Sequence, residues 1–189
     1  MPFGTYNVSI EEAVRNANKL FMESGCDCIK LEGGSDMAPV IKAIVKAGIP
    51  VCAHIGLTPQ SAAMMGGFKV QGKSLEAAQE LLDSARAVEE AGAFMVVLEG
   101  IPKMLADVIT EKLSIPTMGI GAGAGCDMQV LVAQDMLGMN EWVPKFVKKY
   151  ADLHKIIIDA YNQYVKESNE RTFPDHDTQY NAVIEGLEI

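Results

Sequence analysis

The stretch that decides the fold is Cys26–Gly34, CDCIKLEGG, an apolar run that ends in a lysine, a glutamate and two glycines. In an extended strand, successive side chains point to opposite faces. Lys30 and Glu32 therefore share one face, and Ile29 and Leu31 share the other. Parallel strands are usually buried on both faces, so the two charges must be paired, hydrated in a pocket or in contact with a ligand.

The composition is that of a single globular domain. The chain has 189 residues, 49% of them hydrophobic and 22% charged, which is enough to bury a sizeable core. A net charge of −9 argues against nucleic-acid partners, since those need clustered Lys and Arg. No run is long enough for a membrane span, and no basic-then-apolar leader opens the chain. We expect one cytoplasmic domain over residues 1–189, without nucleic-acid or membrane partners.

The four cysteines lie in apolar, strand-like runs, at positions 26, 28, 52 and 126. This placement indicates small buried residues in a reducing compartment. A zinc site is the weaker interpretation, because Cys26 and Cys28 are spaced too closely for the usual pair of zinc ligands.

Strands and helices alternate along the chain at the rhythm of βα units with a parallel sheet. Five strands are predicted, at Cys26–Glu32, Pro50–Ile55, Phe94–Glu99, Ile115–Gly121 and, hardest to separate from helix, Val130–Ala133. Helices are predicted from a capping box at Ser9 to Gly25, from a cap at Ser35 or Asp36 to Gly48, from Ser74 to Gly92, over 102–113 and over 143–168. The segment 170–189 is predicted to be a polar, irregular tail.

Three of these strands end in ionisable residues on the same face. Lys30 and Glu32 end the first strand, His54 ends the second and Glu99 ends the third. The C-terminal ends of parallel strands meet at one edge, where α/β barrels and open sheets place their chemistry. Taken singly, each residue has a structural explanation: a satisfied core histidine, a structural ion pair or a solvated glutamate. Their shared face favours a functional pocket.

The glycine run Gly119–Gly125 resembles a dinucleotide-binding fingerprint only weakly. Ala124 occupies the third glycine position, and no clearly capped helix follows at once. A tight turn or a close approach of the backbone to a ligand explains the run equally well.

Several segments resemble ketopantoate hydroxymethyltransferases, in that family's order and spacing, from residue 2 to about residue 180. They are Lys30–Gly34, His54–Gln60, Gly66–Gly72, Val97–Glu99, Gly119–Gly123 and Pro144–Phe146. The resemblance implies a (βα)8 TIM barrel that transfers a hydroxymethyl group from 5,10-methylenetetrahydrofolate to 3-methyl-2-oxobutanoate. The product would be 2-dehydropantoate, for pantothenate synthesis. The implied ligands are a small keto acid and a folate, and the implied assembly is a homo-oligomer.

The resemblance also implies a role for each residue at the strand ends. Glu99 resembles the base that removes the C3 proton, and Lys30 the cation that contacts the keto acid. Glu32 resembles a glutamate associated with the Mg²⁺ that chelates the keto acid, and His54 a pocket residue near the substrate. A metal and a lysine in a dry pocket would together meet the charge of a developing enolate.

The chain departs from the family pattern chiefly in length. Such a barrel takes about 250 residues, and here about five of eight strands are predicted. The resemblance therefore implies that the N-terminal βα units and two metal-binding aspartates of the family are not in this sequence. Five strands should leave two open edges and an open interior. Two smaller departures are Met128, where the family favours glycine, and the segment Met139–Val143, about one residue shorter.

Three functional hypotheses stay open at this point. The chain is the C-terminal part of an active hydroxymethyltransferase, or a non-catalytic relative that serves as a binding or assembly module. The third hypothesis is another keto-acid lyase or mutase on the same barrel, against which the loop Gly66–Gly72 counts.

Overall fold

The structure is a computed structural model that describes residues 1–186. Its contacts divide the chain into two compact units, Met1–Val130 and Leu131–Ile189. The single domain expected over residues 1–189 stays a prediction. Within the described residues, no helix has the length and apolar character needed to cross a membrane.

The first unit is built on a five-stranded parallel sheet whose strands lie side by side in sequence order. The strands are β1 Ile29–Lys30, β2 Val51–Gly56, β3 Met95–Glu99, β4 Thr117–Ile120 and β5 Met128–Gln129. The predicted α/β class and the count of five strands are confirmed. In this part of the chain β1 and β5 each pair on one side only, so the sheet is open, as an incomplete barrel requires.

Four helices and a 3-10 turn accompany this sheet. They are α1 Ile10–Ser24, α2 Ala38–Lys46, the 3-10 turn Pro59–Ser61, α3 Leu75–Glu90 and α4 Lys103–Lys112. The side-chain oxygens of Ser9 and Ser74 accept the N–H groups of Glu12 and Ala77, each at 3.1 Å. Both predicted N-caps are therefore confirmed.

The predicted cap of α2 is wrong. Neither Ser35 nor Asp36 caps the helix, which begins at Ala38 after Met37. Asp36 Oδ1 instead accepts the N–H of Gly34 at 2.9 Å. Its carboxylate closes the preceding turn, a competing use to which aspartate is well suited.

The last predicted strand is also misplaced. The strand β5 lies at Met128–Gln129 and pairs with Met118 and Gly119, whereas the apolar run Val130–Ala133 follows it. Apolar character alone did not separate the strand from the segment after it.

The second unit contains α5 Ala133–Met136 and α6 Leu153–Glu170. The helix predicted over 143–168 therefore begins ten residues late. The N–H groups of Tyr150, Leu153 and His154 bond to the carbonyls at the end of α5 and just beyond it, at 2.8, 3.1 and 2.8 Å. This long-range pairing replaces the helical bonds that the apolar pattern suggested. Residues 171–186 form turns and irregular chain, and 187–189 of the predicted tail lie outside the described residues.

The core lies between the helices and one face of the sheet. It includes Val51, Ala53 and Ile55 of β2 and Val96 and Leu98 of β3, packed with buried residues of α1 to α4. The alternation predicted from the sequence is confirmed, so His54 and Glu99 project from the opposite face.

The glycine run serves close packing. A Cβ atom at Gly123 would lie 2.6 Å from Lys103 Cγ, and one at Gly125 would lie 1.8 Å from Asp107 Oδ1. The loop lies directly against α4, so a side chain at either position would require Lys103 or Asp107 to move. The positive φ angles of Gly121 and Gly123, +63° and +83°, fit the tight turn offered by the sequence. A close approach of the backbone to a ligand stays a prediction.

Glu89, at the end of α3, is bonded to the turn before β4. Its Oε1 atom accepts the N–H and the hydroxyl of Ser114, both at 2.7 Å, and the N–H of Ile115 at 3.2 Å. These bonds, the Ser114 hydroxyl foremost, hold the pKa of Glu89 below its ordinary value of 4.5. The carboxylate thus stabilises the connection between two βα units.

We predict that Glu89→Gln lowers the free energy of unfolding at pH 7 by about 1 kcal/mol. The matched control, Glu90→Gln, changes the exposed neighbour. Because the folded pKa of Glu89 is lowered, its stabilisation is fully present above the ordinary value and is lost as pH falls through the folded pKa. Urea unfolding should show a smaller difference between wild type and variant near about pH 3 than at pH 7. An equal difference at both pH values contradicts the assignment.

Gly56, the last residue of β2, permits a close approach of β2 to β3. Its φ is +92°, and a Cβ atom there would lie 2.3 Å from the carbonyl oxygen of Glu99. That oxygen also accepts the N–H of Leu57 at 2.8 Å. We predict that Gly56→Ala destabilises the protein by at least about 2 kcal/mol more than Gly67→Ala.

Gly67 is the control because its φ is +103° with nothing within 4 Å of an added Cβ atom. Gly67→Ala therefore carries backbone strain without a clash, and the difference between the variants reports the close approach. Urea unfolding of both variants measures it, and equal losses would refute the role given to Gly56.

Candidate functional site

The structure brings all four residues singled out by the sequence into one row at the C-terminal ends of β1 to β3. Lys30 Nζ lies 4.0 Å from Glu32 Oε1, and that oxygen lies 3.8 Å from His54 Nδ1. On the other side of the ring, His54 Nε2 lies 3.1 Å from Glu99 Oε2. The row runs from cation to carboxylate to imidazole to carboxylate.

His54 is buried, with 2% of its surface exposed. Its carbonyl oxygen accepts the N–H of Gly33 at 3.0 Å, which ties the segment after β1 to β2. Neither ring nitrogen has an aligned hydrogen bond among the residues described, although carboxylate oxygens lie nearby. Buried polar groups in folded proteins nearly always have a partner, so His54 is not the satisfied core histidine of the structural interpretation.

Glu32 is a buried carboxylate whose two oxygens have different surroundings. Oε2 accepts the backbone N–H of Gln60 at 3.0 Å. Oε1 faces Lys30 and His54 at distances beyond a hydrogen bond. A buried carboxylate needs hydrogen bonds or nearby positive charge to offset its loss of hydration. Here Oε2 has a hydrogen bond, and Oε1 points into the site without one among the described residues.

The two ends of the row are more open than its centre. The side chain of Lys30 is 45% exposed and that of Glu99 is 15% exposed, against 3% for His54. Lys30 therefore places a solvent-accessible cation at the rim. Glu99 combines partial solvent access with a backbone fixed by Leu57, whose N–H bonds to its carbonyl.

Cys52 pairs in register with Lys30 and lies beside it on the neighbouring strand. Burial raises the pKa of the Cys52 thiol to about 11, so the thiol is neutral and forms an uncharged part of this face. Cys126 is also buried, whereas Cys26 and Cys28 are only partly buried, so the expectation of four buried cysteines is half right.

The described side chains do not by themselves fit Mg²⁺. Residues 1–186 contain no group of three or more His, Cys, Asp and Glu side chains arranged around a metal position. Mg²⁺ prefers six oxygen ligands in octahedral geometry, and Glu32 Oε1 offers one of them. The remaining ligands would have to be oxygens that these side chains do not supply.

A cleft of about 510 Å³ shares Glu32 with the row but is not lined by Lys30, His54 or Glu99. Its other lining residues come chiefly from the N-terminal segment, the loop after β1 and the loop after β2; they include Tyr6, Gly33, Met37, Thr58 and Met65. Sequence reasoning missed Tyr6, which carries no motif. It also missed Gln60, although that residue closes the quoted segment after His54.

Comparisons with known proteins identify the family of this chain. The family model described as ketopantoate hydroxymethyltransferase matches residues 1–176. The 3-methyl-2-oxobutanoate hydroxymethyltransferase of Heliobacterium modesticaldum is 55% identical over 190 residues, covering 99% of this chain and 69% of that protein. The Clostridium beijerinckii enzyme of the same name is 58% identical over 176 residues, covering 93% of this chain and 64% of that protein. This chain thus spans about two thirds of the length of these relatives.

Among solved structures, phosphonopyruvate hydrolase superposes with a TM-score of 0.45 at 13% identity, covering 90% of this chain and 61% of that chain. A likeness at this level has no bearing on function. The match to the family model over most of the sequence, and the identity to named relatives, decide the classification: the chain belongs to the ketopantoate hydroxymethyltransferase family.

Proposed function

We propose that this chain takes part in the transfer of a hydroxymethyl group from 5,10-methylenetetrahydrofolate to 3-methyl-2-oxobutanoate, giving 2-dehydropantoate. The observation that carries the proposal is the 3.1 Å contact between His54 Nε2 and Glu99 Oε2 at adjacent strand ends. It joins a partly exposed carboxylate to a buried ring whose nitrogens have no aligned hydrogen bond among the described residues. The names of the relatives point to the same reaction.

Glu99 acts in this proposal as the base. The C3–H bond of the keto acid is acidified by the neighbouring carbonyl, and a carboxylate within reach can take its proton. His54 contacts one oxygen of Glu99, which leaves the other oxygen for the substrate. The 15% exposure of the Glu99 side chain gives a ligand access without leaving the carboxylate in bulk water.

Lys30 binds the keto acid through its charge. Its ammonium group lies at the exposed end of the row, 4.0 Å from Glu32. From there it can attract the substrate carboxylate and the negative charge of the enolate. The C3 carbon then forms a bond to the methylene carbon of the folate as one of that carbon's two C–N bonds breaks. Water displaces the second nitrogen and supplies the hydroxyl group, and the proton from C3 and one from water end on the two nitrogens of the departing tetrahydrofolate.

Mg²⁺, when bound, would supply Lewis-acid stabilisation of the keto oxygen. We propose Glu32 as one of its ligands, with oxygens of the keto acid and water among the others. A homo-oligomeric assembly and a cytoplasmic location stay predictions.

The proposal predicts that Glu99→Gln slows exchange of the C3 proton of 3-methyl-2-oxobutanoate by at least about 100-fold. Loss of the C3–H proton signal of the keto acid in D2O, followed by NMR with Mg²⁺ present, measures the exchange rate. The control is Glu90→Gln, an exposed position on α3, which should exchange at the wild-type rate. Undiminished exchange by the Glu99 variant would exclude this base, and no exchange by the wild-type chain would exclude the activity.

A further inference from the structure

We infer that Tyr6 and Gln60 are positioning residues that hold the Glu32 carboxylate in its working orientation. Glu32 Oε2 is bound by the N–H of Gln60, and Oε1 is thereby turned toward Lys30 and His54. The kinetic part of this inference rests on the proposed function. The contacts themselves do not depend on it.

Gln60 lies in the 3-10 turn Pro59–Ser61, in the loop that follows β2. Its contact with Glu32 uses the backbone, so the side chain is free to fix the turn. Gln60 Oε1 accepts the hydroxyl of Tyr6 at 3.1 Å, and Nε2 donates to the carbonyl of Met1 at 3.2 Å. Both the oxygen and the nitrogen of the side-chain amide are therefore hydrogen-bonded. These bonds fix the turn, and the turn sets the direction of the backbone N–H that reaches Glu32.

Tyr6 is the buried end of this connection. It is 3% exposed and belongs to the hydrophobic core, so the position of its hydroxyl is set by packing. Burial raises the pKa of Tyr6 above its ordinary value of 10, so the phenol stays a neutral hydrogen-bond donor at working pH. A rigid core side chain thus fixes the loop that orients a site carboxylate.

Three separate segments meet at this point: the chain before α1, the end of β1 and the loop after β2. Without the Tyr6 hydroxyl the side chain of Gln60 loses its hydrogen bond to a core residue, although the N–H of Gln60 is still present. We therefore expect the Glu32 carboxylate to stay in the site but to be held less firmly in one orientation. Such a change lowers the rate of the chemical step more than it weakens binding of the keto acid.

The test is Tyr6→Phe, which removes one oxygen and keeps the ring. We expect amide hydrogen exchange at Gln60, followed by NMR, to become about tenfold faster. We also expect kcat for C3 proton exchange to fall about tenfold, with KM for 3-methyl-2-oxobutanoate unchanged within about twofold. Tyr161→Phe, an exposed tyrosine of α6, is the control and should change neither measurement.

A double-mutant cycle separates positioning from general stability. In a Glu32→Gln background, Tyr6→Phe should reduce kcat by no more than about twofold further, because its effect passes through Glu32. Gln60→Met keeps the shape of the side chain, removes both of its hydrogen-bonding groups, and should reproduce the effects of Tyr6→Phe. It provides the same test if Tyr6→Phe fails to fold.

The outcomes also distinguish this inference from the proposed function. If Gln60 exchanges faster in Tyr6→Phe than in wild type, but the wild-type chain lacks C3 exchange activity, the positioning contact is supported and the function is refuted. Active wild type with unchanged Gln60 exchange and unchanged kcat in Tyr6→Phe overturns the inference and leaves the function standing. Independent, multiplicative losses in the double variant also overturn it.

Discussion

The ring of His54 lies buried between two carboxylates, and the rest of the site follows from that arrangement. Removing an imidazole and a carboxylate from water is unfavourable unless they are paired. Within residues 1–186, the acidic neighbours close to the two ring nitrogens are Glu32 at 3.8 Å and Glu99 at 3.1 Å. Neither contact is an aligned hydrogen bond. Both ring nitrogens can therefore still form a hydrogen bond with a bound ligand.

The parallel sheet is what makes this arrangement possible. Gly56 and Glu99 pair in register, and their close approach depends on the absence of a side chain at Gly56. The segment after β1 crosses onto β2 through Gly33 and the carbonyl of His54. These backbone contacts fix the Cα positions from which the site side chains project. The exposed fraction of the side chain rises from His54 to Lys30. A rigid centre and an accessible rim suit a site that binds a small anion.

The row at the strand ends could be predicted because the period of a strand is two and parallel strands end at one edge. Lys30, His54 and Glu99 needed no more than this. Tyr6 and Gln60 could not be predicted in the same way, because their contacts join loops far apart in the sequence. The predictions for the cap of α2 and the start of α6 were wrong for related reasons. Asp36 bonds within its own turn, and residues before α6 pair with the end of α5.

In the proposed reaction, the part of this chain centres on Glu99 and its contact with His54. A double-mutant cycle on C3 proton exchange, with His54→Gln, Glu99→Gln and the double variant, tests that coupling most directly. If His54 acts through Glu99, the double variant should exchange within about twofold of Glu99→Gln alone. A loss in the double variant equal to the product of the two single losses would contradict the account.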